Sequence, residues 1–206
     1  MNVPFLRDDP LAPGEAERIA PQVRRVLCDN PSAFTFRGTN TYLIGGGAGG
    51  VAVLDPGPDD PRHLQAILAA TAGERISHVV VSHTHRDHTG NVAALARLTG
   101  APTVGFGPHQ TPPEQSGEGA DTAFRPDIAL PDGGVLEGGD WRLAALHTPG
   151  HCGNHLCLAL EGTGVLFSAD HVMSWSTSVV SPPDSNMRAF RDSLGRLRAR
   201  EGEDRL

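Results

Sequence analysis

The chain has 206 residues, of which 38% are hydrophobic and 20% charged, and its formal net charge is −7. These values indicate a globular protein with one core, and the acidic balance argues against a DNA-binding protein that relies on a general positive field. The sequence has no run of about 18 apolar residues, so it predicts no membrane span. Three cysteines without a CxxC pair argue against a disulfide framework. The first 20 residues lack the apolar segment of a secretory signal. We therefore expect a single domain over residues 1–206 in the cytoplasm, and the sequence leaves its oligomeric state open.

The first predicted elements are two short strands, "NTYLI" and "VAVLD", joined by "GGGAGG". The joining stretch matches G-x-G-x-x-G at Gly45, Gly47 and Gly50. A dinucleotide-binding loop must lead into a helix, whereas a strand comes next here. We therefore interpret this stretch as the turn of a β-hairpin.

The middle of the chain alternates between helix and strand. Asp60 is a typical N-cap and Pro61 a typical first helical residue, and apolar spacing carries this helix through about Ala72. "HVVVSH" (78–83) is a continuous apolar strand, which predicts burial on both faces. A second helix ends near Gly100 and the strand "PTVGF" follows it. This alternation predicts the α/β class, in which helices cover a sheet.

The second half contains a long polar stretch and then three more strands. Residues 107–126 are rich in chain-breaking residues and predict a long loop of the kind that often carries function. Strands are predicted at 141–147, 155–160 and 165–170, and an amphipathic helix is predicted from about Met187.

The strand 78–83 leads into "HTHRDH", which places three histidines and an aspartate within six residues. In an extended segment, residues i and i+2 point the same way, so His83 and His85 are expected to converge on one ion. Asp87 and His88, after the following turn, are expected to reach a second ion. Imidazole and carboxylate suit zinc, and they also bind iron or manganese. A single loop histidine is usually only solvated, but this density favours a metal site.

Two later strand ends carry further candidate ligands. His151 follows the Pro-Gly turn of "HTPGH" and would complete a three-histidine site with His83 and His85. Asp170 ends a predicted strand, and its carboxylate could bridge two ions. Ligands at several strand ends along one edge are typical of sites in layered α/β folds.

Together, H-x-H-x-D-H, T-P-G-H and an acidic residue ending a later strand resemble the metallo-β-lactamase superfamily over residues 40–184. "GTNTYLI", "HTPGHCGNH" and "SADHVMSW" resemble its lactamase-β-like protein 2 subgroup, whose members include an RNA endonuclease. The resemblance implies an αββα four-layer sandwich with mixed β-sheets flanked by helices. It implies Asp55 as an outer contact of the site and Asp170 as the bridging ligand. Two zinc ions are expected, the first held by His83, His85 and His151, the second by Asp87, His88 and Asp170.

One feature departs from the superfamily pattern. Its members supply a further histidine to the second metal after a last strand, and no histidine follows His171 here. We expect either a missing C-terminal part, which we favour, or an incomplete second site. His171 is predicted to point away from Asp170, either as an outer contact of the site or in a structural role, whereas His155 and His147 are predicted to hydrogen-bond ligands from the outer shell. Solvated or core positions are predicted for the other three, His63, His78 and His109.

The predicted reaction is metal-dependent hydrolysis of an ester, thioester, amide or phosphodiester. A metal-bound hydroxide would attack, and Asp87 would orient it and take a proton. Cys152 is a poor candidate nucleophile, because the adjacent His151 cannot be both metal ligand and base.

Several functions remain open at this point. The substrate would be a small molecule or RNA, so the main alternatives are an endoribonuclease on single-stranded RNA and a glyoxalase II-like thioesterase. A single-iron sulfur dioxygenase is a third, and a metal-stabilised binding module without catalysis is an alternative of another class. Arginines of the last helix could contact RNA phosphates, although a solvated helix face is the commoner explanation.

Overall fold

A computed structural model describes residues 10–117 and 119–200 of the protein. Seven strands of these residues form the first sheet, and they lie side by side in chain order. The strands are β1 Ala16–Ala20, β2 Val23–Leu27, β3 Asn40–Gly46, β4 Gly50–Leu54, β5 Ile76–Val80, β6 Thr103–Gly105 and β7 Ile128–Ala129. Pairing is antiparallel from β1 to β4 and parallel from β4 to β7, so the sheet is mixed.

Four further strands form the second sheet, which is antiparallel throughout. They are β8 Val135–Glu137, β9 Arg142–His147, β10 Leu156–Leu160 and β11 Val165–Phe167. The helices are α1 Pro61–Ala70, α2 Arg86–Thr89, α3 Val92–Thr99 and α4 Met187–Arg198.

Three clusters of buried apolar side chains lie between the four layers of the molecule. One cluster fills the space between the sheets, where Leu54 of β4 meets Leu158 of β10. A second cluster packs Val53 of β4 against α1 and α3. A third packs Cys157 of β10 with Leu197 of α4. Neighbouring residues of β4 thus belong to different clusters, because alternate side chains of a strand point to opposite faces. The order helix, sheet, sheet, helix confirms the predicted α/β class and αββα architecture.

Two local predictions are also confirmed. The glycine-rich stretch is the turn of the β3–β4 hairpin, with a short 3-10 turn at Gly47–Gly49 and a strand after it. Asp60 caps α1, since its side chain accepts a hydrogen bond from the backbone N–H of Arg62, and Pro61 is the first helical residue.

Two predicted strand boundaries are wrong, and both lie next to candidate ligands. β5 ends at Val80 rather than at residue 83, because the Ser82 backbone N–H bonds the side chain of Asp55 instead of a neighbouring strand. β11 ends at Phe167, and Asp170 lies in a single 3-10 turn, Ala169–His171, instead of a strand.

None of the helices within the described ranges has the length and apolar character that a membrane crossing requires. The sequence predictions for the first nine residues and for most of the terminal "REGEDRL" concern segments outside those ranges.

Candidate metal centre

The candidate ligands lie on segments that leave both sheets and meet at one place. β5 continues into the first of these segments, which runs into α2, while the turn after β9 and the 3-10 turn after β11 provide the others. The first segment belongs to the first sheet, and the other two belong to the second sheet. In that order, the segments carry His83, His85, Asp87 and His88, then His151, then Asp170.

Three imidazoles and one carboxylate form the first group. His85 Nδ1 lies 3.0 Å from His83 Nε2 and 3.0 Å from His151 Nε2. Asp170 Oδ2 lies 3.5 Å from His151 Nε2. Nitrogen ligands of a tetrahedral zinc ion, with bonds of about 2.0–2.1 Å, lie roughly 3.3 Å apart. The donor set and its spacing therefore fit a zinc ion.

The second group contains two carboxylates and one imidazole. His88 Nε2 lies 3.6 Å from Asp87 Oδ2 and 3.5 Å from Asp170 Oδ1. Asp170 therefore turns one oxygen toward each group. A carboxylate in this position can serve two cations that lie close together.

Outer hydrogen bonds fix which nitrogen faces the first group in two of its imidazoles, His83 and His151. Ser82 donates its hydroxyl hydrogen to Asp55 Oδ2, at 2.6 Å, so it accepts from His83 Nδ1–H at 3.0 Å. His151 donates Nδ1–H to the carbonyl oxygen of Val179 at 2.7 Å. In both rings the Nε2 lone pair is left for a cation, as is usual for metal-binding histidines.

Asp55 is the outer contact of the second group. Its Oδ2 lies 2.9 Å from His88 Nδ1, and its Oδ1 accepts from the Ser82 backbone N–H at 2.8 Å. The residue has a φ of 52°, a left-handed conformation that aspartate tolerates better than most residues. The resemblance implied an outer position for Asp55, and the geometry agrees.

Burial keeps two imidazoles of the first group neutral. It lowers the pKa of His83 well below its ordinary value, and that of His85 to about 4, with a further contribution from neighbouring imidazoles. A neutral imidazole is the form that coordinates a cation.

Opposite charges dominate in the second group. Burial by itself would lower the pKa of His88, but the carboxylates of Asp87 and Asp55 outweigh it and hold that pKa well above the ordinary value. Burial by itself would raise the pKa of Asp170, but His88 and His151 bring it below the ordinary value. These carboxylates therefore attract positive charge to this group.

The segment that follows the 3-10 turn Ala169–His171 contacts His151 at two points. Besides the Val179 carbonyl, the Ser185 hydroxyl contacts this residue, donating to the His151 carbonyl at 2.5 Å. Gly150, before it, has a φ of 149°, and a Cβ there would lie 2.3 Å from the Phe190 Cα of α4. Only glycine lets α4 approach this turn so closely. The sequence did not predict these contacts.

His109, for which the sequence showed no partner, joins three loops. Its Nε2 donates to Asp184 Oδ1 at 3.0 Å, and its Nδ1 lies 2.8 Å from the hydroxyl of Thr84, between two candidate ligands. Asn154 accepts from Thr84 at 3.2 Å and donates to the Gly107 carbonyl. This network ties the long loop 107–126 to the first group.

The structure argues against Cys152 as a nucleophile. Its side chain is fully buried, and burial raises the pKa of the thiol. A reactive cysteine needs the opposite, an accessible thiolate.

The predictions for His155 and His147 as outer contacts of ligands are wrong. His155 Nδ1 bonds the hydroxyl of Thr148 at 2.9 Å, and His147 Nε2 bonds the Gly153 carbonyl at 2.9 Å. Neither bond reaches a candidate ligand, because both rings are used to fix the turn between β9 and β10.

The remaining histidines, His171, His63 and His78, make contacts outside the two ligand groups. His171 is buried against Phe190, as a structural role predicts, although a 3-10 turn rather than strand alternation directs it there. His63 is buried and contacts Thr41, while the half-buried His78 contacts the neighbouring Ser77.

A cavity of about 280 Å³ lies beside the second group. Asp87, His88 and Asp170 line it, and no other charged side chain of the described residues does so. Most of the remaining wall is apolar or aromatic. It includes Ile19, Phe34, Tyr42, Phe167, Met173 and Trp175.

Comparisons with known proteins indicate the family of this chain. A family model described as "Metallo-beta-lactamase superfamily" matches residues 34–205. The chain is 35% identical over 188 residues to "Atrochrysone carboxyl ACP thioesterase" from Aspergillus fumigatus, a match that covers 88% of this chain and 55% of that protein. It is 32% identical over 187 residues to "Lactamase-like protein GME11357" from Pestalotiopsis microspora, covering 87% of this chain and 53% of that protein. The chain thus spans about half the length of these curated relatives.

Solved structures show the same fold. A β-lactamase domain protein from Burkholderia ambifaria superposes with a TM-score of 0.73 at 22% identity, covering 95% of this chain and 69% of the other.

Proposed function

Because this chain belongs to the metallo-beta-lactamase superfamily, we propose that it is a metal-dependent hydrolase that cleaves thioesters. The observation that carries the proposal is the pair of ligand groups that share Asp170. In this proposal each group holds one zinc ion. The first ion is held by His83, His85, His151 and Asp170, and the second by Asp87, His88 and Asp170.

Bound zinc would supply Lewis acidity, which ionises water near neutral pH and polarises the thioester carbonyl. Asp87 lines the cavity and is partly exposed, so its carboxylate can orient the attacking water and take its proton. Water oxygen adds to the acyl carbon, the carbon–sulfur bond breaks, and the proton passes to the sulfur. The products are a carboxylic acid and a thiol.

Two observations favour a thioester over RNA. Relatives described as acyl carrier protein thioesterases match most of this chain. The described wall of the cavity has no lysine or arginine, whereas RNA phosphates require such side chains. Arg196 of α4 is already engaged, since it pairs with Asp132 and donates to the His147 carbonyl.

One observation favours the non-catalytic binding module as a second candidate. Within the described ranges, the second group has a single imidazole beside two carboxylates. Such a site would bind its ion more weakly than the first group.

The cytoplasmic location and the single-domain organisation stay predictions from composition.

Thiol release tests the proposal and separates the candidates. The metal-free protein would be loaded with zinc, manganese or iron(II) and given an acyl thioester and a single-stranded RNA. We expect metal-dependent thiol release that His85→Ala lowers at least 100-fold, while His78→Ala, at a half-buried histidine outside the site, keeps the activity. RNA cleavage without thiol release would contradict the proposal. Tight metal binding without either reaction would favour the binding module.

A further inference from the structure

Two aromatic side chains from distant segments stack at the wall of the cavity. The ring centroids of Phe36 and Trp175 lie 5.0 Å apart, and their planes are inclined by 16°. Trp175 lines the cavity, whereas Phe36 stacks on it without lining the cavity. Phe36 therefore limits how the indole can move without itself meeting a ligand.

The loop between β2 and β3 holds Phe36 in a costly conformation. Its φ of 56° is left-handed, a region that bulky side chains rarely occupy. Asn30 fastens the loop, because its Oδ1 accepts from the Thr39 backbone N–H at 2.9 Å and its Nδ2 donates to the Thr39 hydroxyl at 3.0 Å. Conformations of this kind persist where surrounding structure imposes them, and they cluster at functional sites.

Strained conformations in the described residues all lie at this site. Apart from Phe36, the non-glycine residues with positive φ are Asp55 and Ala169. Asp55 contacts His88, and Ala169 lines the cavity beside Asp170. The aromatic stack thus belongs to the same constrained assembly as the second ligand group.

The apolar part of the cavity wall is incompletely covered. Phe34 is 71% exposed and Ile19 is 46% exposed, and both line the cavity. Apolar side chains exposed together beside a candidate reaction centre indicate a surface that an apolar group covers.

We propose that this wall is the acyl-binding subsite and that Trp175, held by Phe36, selects thioesters whose acyl group carries an aromatic ring. The inference rests on the proposed thioesterase function. An aromatic acyl group would pack against the indole and the neighbouring apolar side chains, and ring pairs contribute more than their buried area alone. A short acyl group such as acetyl would reach the ligand groups without using this wall. A charged acyl group would find no oppositely charged side chain in this wall, because the side chains of the wall are uncharged.

Competing hydrolysis of two thioesters of N-acetylcysteamine, one benzoyl and one acetyl, tests the subsite. We expect the zinc-loaded protein to prefer the benzoyl thioester at least tenfold in kcat/KM. Trp175→Ala should lower that preference at least tenfold, mainly through a higher KM for the benzoyl thioester. Trp175→Phe keeps a ring and should retain most of the preference. Leu98→Ala removes an exposed apolar side chain on α3, outside the cavity lining, and should leave the preference unchanged.

A binding measurement separates this inference from the proposed function. The thioether S-phenacyl-N-acetylcysteamine has the aromatic group but cannot be hydrolysed. Its binding should change tryptophan fluorescence through Trp175, since the other tryptophan, Trp141, is buried, and Trp175→Phe should abolish the change. Binding without any thiol release would overturn the thioesterase but keep the aromatic subsite. Thiol release with equal use of both thioesters and no fluorescence change would overturn the subsite alone. Absence of both would overturn both.

Discussion

Asp55 is the residue through which the ends of β4, β5 and α2 meet. One of its oxygens accepts from the Ser82 backbone N–H, and the other contacts both the Ser82 hydroxyl and His88 Nδ1. The same carboxylate therefore orients the imidazole of the second group and, through Ser82, that of His83. Carboxylates behind metal-binding histidines typically contribute 10–100-fold to metal affinity.

Asp55→Asn should weaken zinc binding to the second group about 10–100-fold and leave the first group less affected. Titration of the metal-free protein against a competing chelator would measure both affinities. Asp127→Asn is a matched control, because Asp127 likewise accepts from the backbone N–H and the hydroxyl of one residue, Thr103. Equal losses in the two variants would show that Asp55 acts only on general stability.

At this scale the sequence predicted the candidate ligands but not their supports. The six candidate ligands could be proposed from the sequence because histidines and aspartates cluster near strand ends. The Val179 carbonyl that orients His151 carries no side-chain signal at all. His109 gave no signal either, since its partner Asp184 lies 75 residues away in the chain.

At the scale of elements, His63 fastens α1 to the first sheet. Its Nε2 lies 2.8 Å from the hydroxyl of Thr41 in β3, which donates to the Asp55 carbonyl at 2.6 Å. Burial lowers the pKa of His63 from 6.5 to about 4. The folded protein thus keeps this imidazole neutral at pH values where the unfolded chain protonates it.

Stability should therefore fall as the pH falls from about 6.5 toward 4, and His63 contributes about 2 kcal/mol of that loss between pH 7 and pH 5. His63→Gln keeps a donor for Thr41 but cannot titrate. Urea unfolding of both metal-free proteins at the two pH values should show a loss that is smaller by that amount in the variant. An identical loss in both would mean that His63 titrates normally in the fold.

Asp184 connects the loop 107–126 with the segment before α4. It accepts from His109 through one oxygen and from the Gly117 backbone N–H, at 2.8 Å, through the other. Asp184→Asn removes the charge from two hydrogen bonds, and charge-assisted bonds contribute about 1.5–3 kcal/mol. We expect hydrogen exchange in residues 107–117 to become at least tenfold faster, while exchange in α1 stays unchanged. Unchanged exchange in the loop would show that other contacts hold it.

Element boundaries were least predictable where the chain leaves a sheet to form the site. The apolar run 78–83 looked like one strand, yet Ser82 and His83 turn away to contact Asp55 and the ligands.

The hairpin of β1 and β2 went unpredicted, because β1 is mostly exposed and Ile19 is its one large apolar residue. Local patterns do not include such long-range hydrogen bonds.

At the scale of the whole molecule, the site joins the two sheets. His83 and His85 extend from the first sheet, whereas His151 and Asp170 extend from the second. A cation between them would connect the layers that otherwise meet through the apolar cluster around Leu54 and Leu158. The resemblance correctly predicted the αββα fold, whereas composition and periodicity alone indicated only the α/β class.

Zinc should therefore stabilise the fold. At a free concentration of about 100 times the dissociation constant, binding stabilises the folded state by about 2.7 kcal/mol, which corresponds to roughly 5–10 °C in Tm at this size. Calorimetry of the metal-free protein with and without zinc measures the shift. Magnesium should have little effect, because it prefers oxygen ligands. His83→Ala should remove most of the zinc effect, and a full zinc effect in that variant would place the stabilising ion elsewhere.

The central claim is that imidazoles from both sheets hold one cation at the point where the sheets meet. A crystal of the zinc-loaded protein, measured at the zinc absorption edge, tests it most directly. We predict an anomalous peak about 2.0–2.1 Å from His83 Nε2, His85 Nδ1 and His151 Nε2. Peaks confined to other histidines, such as His78, with none among these three nitrogens would contradict it.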